Sequence, residues 1–509
     1  MRVLMLQMKG QWCPRSPSGK LRVAGGALAG LAAGSLMQLR AQSFFNPYTA
    51  PLPAFGSALP SGTGAGDDFT INRGVPYNPT GGSVVHDYNM KFGPVTASVT
   101  GGTSFSYYDN YNLVPDGSGL KQEDELAINP TLGIAFQWPV RRDSILHFDV
   151  GFGYAVLLNH PKLDRFTITP ASAWDYQLKL GDVRITLADH IGTSGDSSTR
   201  TDLSGTGSAD AVQFRRISNT ISLSAAWQPT RLYTVSGAYA LDFDHGLGDS
   251  FGLADHLTHT LSTAVFRRLD SQWTVGLSAS AFSNQYLQGI QNNSTGYGAG
   301  PTLTWKPSPF LNFSGSVRYN TAQSDGGGTI GDRNSSSGAG YDFSVQHVIN
   351  RHLNHALSVS SGIDLGVGVN FNQTFTINYR LGWQITEALN LAFIANRQTT
   401  SQSGAGYDFV SYDLADLFQD KVTHQFFLLN SSNVLTPLPF GSFPASSNLL
   451  LIPRAKEESE AYNFGLSTGF QITRRLGASV SYQHTLRLSN LPLHDYNQNT
   501  YTLSLSYRF

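Results

Sequence analysis

The sequence predicts an all-β protein: a single transmembrane antiparallel β-barrel of about 18 strands, with short turns at one end and long loops at the other. Three observations predict it. Large apolar residues alternate with small polar ones from about residue 90 onward; the alternating runs come in pairs joined by short turns; and aromatic residues gather at strand ends beside those turns. Period-two alternation sends the two residue sets to opposite faces of a strand.

Composition sets the frame. The chain has 509 residues, long enough for several ordinary domains, yet its texture is uniform from about residue 90 onward, as in one repetitive architecture. Charged residues make up only 14%, against about 25% in ordinary soluble domains. Its polarity comes from Ser, Thr, Asn, Gln and Gly instead. A net charge of −1 leaves no electrostatic footprint for nucleic acid or an anionic surface. The single cysteine, Cys13, rules out an internal disulfide or a thiolate-ligated metal. No cofactor is implied.

Residues 1–41 read as a secretory signal peptide: Lys9, Arg15, Lys20 and Arg22 precede an apolar run from Val23 to Leu39, and Ala41 stands at the expected cut. Residues 42–89 are rich in Pro, Gly, Ser and Asn without periodicity, an irregular N-terminal tail. Residues 90–509 carry the barrel pattern. Val95, Ala97, Val99, Phe105 and Tyr107 alternate with Thr96, Ser98, Thr100, Ser104 and Ser106. Leu146 to Val156, Leu311 to Tyr319 and Phe371 to Trp383 repeat the grammar. The short turns fall at 138–144, 180–183, 228–231, 268–272, 306–309, 349–353, 384–389 and 471–476. GWQITEALNLAFIANR from Gly382 and GFQITRRLGASVSYQH from Gly469 resemble one hairpin design used twice. SGAGYDF occurs at both Ser337–Phe343 and Ser403–Phe409, and STGYGAG at Ser294–Gly300. These glycine runs imitate phosphate-cradling loops only superficially, because no helical pattern follows them.

Alternation alone does not separate a soluble barrel from a membrane one. Strand length does: runs of about 10–14 residues exceed the usual 5–6 of soluble sheets and match a tilted membrane span. Trp138, Trp227, Trp273, Trp305, Trp383 and Phe470 beside the turns fit a girdle at the headgroup level. The register predicts Tyr233, Val235, Tyr239 and Leu241 outward, with Thr234, Ser236 and Asp242 inward.

Tyr501, Leu503, Leu505, Tyr507 and Phe509, at two-residue spacing in the last strand, together with the secretory signal, resemble the C-terminal strand of Gram-negative outer-membrane β-barrel, porin-like proteins. No specific subfamily motif accompanies them. The resemblance implies a bacterial outer-membrane location, contact with outer-membrane lipid, and a terminal strand read by the barrel assembly machinery before it closes on the first strand.

Barrels of this size enclose an aqueous channel unless something fills it. The pore-lining candidates are Lys179, Arg184, Arg216, Arg318, Arg380 and Arg487, opposed by Asp149, Asp175, Asp342 and Asp364. Rings of such charges set ion preference. The segment 400–457 exceeds ordinary loop length, and Leu414, Leu417, Phe418, Val422 and Phe426 fall at near-helical spacing. Its apolar surface is expected to be buried by folding into the lumen as a constriction, by capping the mouth, or by docking on a partner, and its deletion is expected to raise conductance. The function expected is passive diffusion of small hydrophilic solutes. A structural or adhesive surface barrel with a blocked lumen, and an outer-membrane hydrolase, are the alternatives; the histidines near loops form no catalytic signature, so no enzyme is expected. A homo-oligomer is left open.

Overall fold

Strand pairing closes on itself. The computed structural model describes residues 90–114, 121–168, 172–194, 216–247, 255–328, 333–366, 369–404, 406–411, 417–419, 425–429, 435–438, 443–446, 449–491 and 494–509. The signal and tail expected at 1–41 and 42–89 lie outside them. Eighteen strands form the wall: β1 (Val95–Tyr108), β2 (Glu125–Arg141), β3 (Ser144–Leu157), β4 (Ala173–Leu180), β5 (Val183–Ser194), β6 (Arg216–Trp227), β7 (Tyr233–Gly246), β8 (His256–Arg268), β9 (Trp273–Tyr286), β10 (Ser294–Ser308), β11 (Leu311–Ser324), β12 (Ser335–Asn350), β13 (Leu353–Leu365), β14 (Phe371–Gln384), β15 (Leu389–Ser403), β16 (Glu458–Gln471), β17 (Leu476–Ser489) and β18 (Tyr496–Arg508). Each pairs antiparallel with its sequence neighbours. β1 pairs with β18 from Thr100↔Arg508 to Tyr108↔Thr500, which shuts the cylinder and removes its edges.

Two short strands complete the sheet. Met90–Phe92 folds back on the start of β1 through Gly93, whose φ of 59° lies in the left-handed region. Arg165–Ile168 pairs with the upper part of β3, while β4 takes the lower part. The fourth wall position is thus shared by two pieces.

All eight expected short turns lie at one end, and the longer connections at the other. Turn chemistry explains several of them. Asp270 Oδ1 accepts the amides of Gln272 and Trp273 at 2.7 and 2.8 Å, and Asn350 Oδ1 those of His352 and Leu353 at 2.8 and 2.9 Å. The two QIT turns share one bonding scheme. The Ile385 and Ile472 amides each donate to a leucine carbonyl, Leu389 and Leu476, at 3.0 Å. Thr386 and Thr473 hydroxyls each accept from that leucine's amide, again at 3.0 Å.

The register is the expected one. Tyr239 is 40% exposed on the outside while Ser236, on the other face of the same strand, is 5% exposed. A soluble barrel would show the reverse. Exposed Leu132, Ile134, Leu223, Leu261, Leu277, Val317, Leu466 and Leu503 make the outer surface apolar around the cylinder. Beside the short turns, Trp138, Trp227, Trp383 and Phe470 are exposed, and Trp273, Trp305 and Phe313 stack at 5.1 and 5.0 Å between centroids. At the loop end, Tyr107, Tyr501 and Tyr482 form a second aromatic row with centroids 6.3 and 5.1 Å apart. Apolar surface bounded by two aromatic rows is the outer dress of a membrane barrel. Among the described residues no helix is long and apolar enough to cross a membrane, which says nothing of a barrel.

Glu460, partly exposed and paired with Arg397 at 2.9 Å, and Asp189 are acids that break the outer pattern among the described strands. Asp189 sits on the outward face, but it is buried there. The Trp174 indole N–H donates to it at 3.1 Å and the Asn219 amide at 2.6 Å. Its charge is hydrogen-bonded rather than presented bare to lipid.

Candidate channel lumen

Strand parity sends every candidate pore charge to the inner face. Lys179 pairs directly with Arg184 across β4 and β5, near the 180–183 turn, and Lys179 is exposed to the lumen. Asp149 lies opposite Ala135 and Ala173 on the inner face of β3, and Arg380 opposite Ala356 and Ile394 on that of β14.

The structure adds what the sequence reading lacked, the partners. Arg216 pairs with Asp244 at 3.3 Å, and His256 approaches the same carboxylate at 3.5 Å. Arg318, 2% exposed, is bonded to Asp342. Asp175 takes His147 at 3.0 Å and the Gln177 amide at 2.8 Å. Asp364 accepts the Thr374 hydroxyl at 2.7 Å. Arg487 reaches Glu457 at 2.6 Å, and that buried carboxylate also accepts from Ser489 at 2.9 Å and Gln402 at 3.3 Å and meets His494 at 3.2 Å. Asp244, Glu457 and His147 escaped the sequence reading. Only the cross-strand register, which fixes Asp244 beside Arg216, identifies them. The lumen charges are therefore largely compensated locally.

Along β6 to β12 the inner face is built from small residues. Ser222, Ser224, Ala226, Ser236, Ala238, Ser262, Ala264, Ser278, Ser280, Ser316 and Ala322 are all buried there. Between them stand Gly296, Gly298 and Gly300 of β10 and Gly338 and Gly340 of β12, so the glycine runs at 294–300 and 337–343 face inward.

An inward-folded element lies against this wall, built from strand ends rather than from the 400–457 segment. The upper ends of β13 and β14, still laddered to each other and to β15, turn against the inner face of the wall. Ile363, Leu365 and Phe371 form one buried cluster with Phe282 of β9 and Ala322 of β11, although β9 lies four strands away around the wall. Tyr286 donates its hydroxyl to the Gly366 carbonyl at 3.3 Å, Asn292 bonds Asn370 at 3.0 Å, and Gln373 bonds Ser336 at 3.1 Å.

The 400–457 segment is corrected in kind. Its described residues form two small antiparallel sheets that pair only within themselves. Gly406–Ser411, Leu449–Arg454 and Phe443–Ser446 make one; Leu417–Gln419, Phe426–Leu429 and Leu435–Pro437 make the other. The near-helical spacing of its apolar residues is overridden by strand pairing such as Phe418↔Phe427.

The loop-end mouth holds a cluster the sequence did not announce. His160 sits between two acids, with Nδ1 2.5 Å from Glu125 and Nε2 2.8 Å from Glu123, and its ring lies 5.2 Å from that of Tyr111. Partial burial alone would lower its pKa. Hydrogen bonds and charge from both carboxylates outweigh that and raise it. Asn159 ties the same site to β2, its amide donating to Glu125 at 3.1 Å.

No protein-family model matches the chain, and no curated protein matches it. Solved structures do resemble it. OccK5 (OpdH) of Pseudomonas aeruginosa is 12% identical, covering 82% of this chain and 98% of its own, with a TM-score of 0.39. OccAB3 of Acinetobacter baumannii is 11% identical, covering 82% and 100%, with a TM-score of 0.41. A BenF-like porin of Pseudomonas fluorescens Pf-5 is 6% identical, covering 82% and 99%, at 0.41. Likeness at this level leaves the barrel's own geometry as the ground for its function.

Proposed function

We propose that this chain is an outer-membrane, porin-type channel through which small hydrophilic solutes diffuse passively. The observation that supports it most is the inversion of ordinary globular order: apolar residues between two aromatic rows outside, Ser, Thr, Asn, Gly and paired charges inside. Such an interior is wet, and a wet interior wide enough to take a folded strand pair conducts.

The pairing of Arg216, Arg318, Arg487 and Asp175 with partners of opposite charge supports a channel of weak ion preference. Lys179 near the short-turn end tilts that preference slightly toward anions. Lipid, and the machinery that inserts barrels, are the partners proposed.

A barrel with a blocked lumen is the competing reading, and one observation favours it: Asn284, Asn320 and Thr258 of the inner face are buried to within 1% of full enclosure. Liposome swelling separates the two. Vesicles containing the purified barrel should swell in small sugars and cease to swell above a size threshold. No swelling for any solute, with the barrel folded, would favour the blocked barrel.

A further inference from the structure

Small inner-face residues make a bed. The ends of β13 and β14 lie against Ala322 of β11 and Ser336 of β12, and Gly296 of β10 leaves room for the Phe282 ring that covers them. At Gly296 a side chain would collide with the Phe282 ring. The bed is shallow because its residues are small.

The wall is unzipped beside that bed. The β12–β13 ladder runs from Asn350↔Leu353 up to Tyr341↔Ser361 and stops. Above it, residues 335–340 pair with β11 alone, and residues 362–365 pair with β14 alone. Continued in the same register, the ladder would set Ala339 opposite Ile363 and Ser337 opposite Leu365 on the outer face, with Gly338 opposite Asp364 on the inner face. Ile363, Leu365 and Phe371 hold the parity of lipid-facing residues such as Leu357 and Trp383. Their present cover is instead Phe282 and Ala322.

The same apolar side chains therefore have two burial sites, lipid in a zipped wall and the Phe282 cluster in a folded-in one. The exchange also trades hydrogen bonds. Zipping forms backbone ladder bonds at the seam; folding in keeps Tyr286 to Gly366 and Gln373 to Ser336. An element with two discrete, comparably satisfied packings is bistable.

The geometry points to a gate: the upper ends of β13 and β14, hinged on the intact ladder to β15, swing between the inner wall, where they narrow the lumen, and the β12 edge, where they complete the barrel and widen it. This rests on the channel reading above.

The test uses paired cysteines in the Cys13→Ser chain, which has no other thiol. Ala339→Cys with Ile363→Cys, and separately Gly338→Cys with Asp364→Cys, sample the outer and inner faces of the zipped register. Cross-linking is read by gel mobility on heat-modifiable, folded barrel, and conductance in planar bilayers before and after oxidation. The gate predicts that at least one pair cross-links, and that oxidation raises conductance roughly two-fold or more, reversed by reductant. Folded barrels in which neither pair cross-links would overturn it, as would a cross-link that leaves conductance unchanged. A channel silent in both states would overturn the channel reading and the gate with it. A silent parent that conducts when cross-linked supports both.

Discussion

The amide of Phe509 donates to the carbonyl of Val99 at 3.1 Å, and the Phe509 ring covers Gly101, where a Cβ would meet it at 3.2 Å. The last residue of β18 is thereby fastened to the first strand at the short-turn end, with Tyr507 packed edge-on against it at 5.0 Å. Closure of the cylinder and the terminal aromatic row are one feature.

Assembly should depend on it. Phe509→Ser removes the ring over Gly101 and keeps the backbone bond, while Gly101→Leu keeps the ring and denies its seat. Each should reduce the yield of heat-modifiable barrel in the outer membrane, and removal of Tyr507–Phe509 should reduce it further. Wild-type yields from all three would show that the terminal row has no part in assembly.

Leu132 and Thr131 are adjacent in β2 and point to opposite sides, Leu132 45% exposed outside. Leu132→Arg should therefore lower barrel stability by about 2–4 kcal/mol if it lies near the midplane, and Thr131→Arg by far less. Urea unfolding in lipid vesicles measures both. Equal losses would refute the assigned faces.

Arg318 is almost wholly enclosed with Asp342 beside it. Asp342→Asn strands a buried cation and should destabilise the barrel by about 3–5 kcal/mol, whereas Arg318→Met with Asp342→Leu together should cost much less. The comparison is made by unfolding midpoints of the single and double variants. A double variant no better than the single would mean that the pair is wet and exchangeable.

At the mouth, the pH dependence has a definite sign. The His160 pKa is raised above its unfolded value of about 6.5 by Glu125 and Glu123. The protonated ring therefore stabilises the link between the 108–125 and 157–165 connections. That stabilisation is complete below pH 6.5 and is lost as pH rises through the higher folded value. Hydrogen exchange, corrected for intrinsic rates, should show the Asn159 and Tyr111 amides losing protection as pH rises above about 6.5. His160→Gln should remove the dependence. Protection that rises with pH would reverse the assignment.

How much of this was legible follows from what repeats. Alternation such as Tyr233 to Leu241 fixes faces, and paired turns fix strand number, because both are local. The Asp244 beside Arg216 is set by a register between strands, and nothing in either segment announces it. Ile363, Leu365 and Phe371 are instructive in the other direction. Their pattern states correctly that they are apolar and outward in parity, yet they are buried inside, because the bed that receives them is built by Gly296, Ala322 and Ser336 of other strands. The helical spacing at 414–426 misled for the same reason: strand partners at 426–429 decide the backbone, and periodicity within one segment does not see them.

The channel is the claim on which the rest depends, and single-channel recording of the purified, refolded barrel in planar bilayers tests it most directly. Discrete, ohmic steps with weak selectivity between potassium and chloride are the predicted result. Folded barrels that insert into the bilayer and pass no current, with the oxidised cysteine variants equally silent, would contradict it.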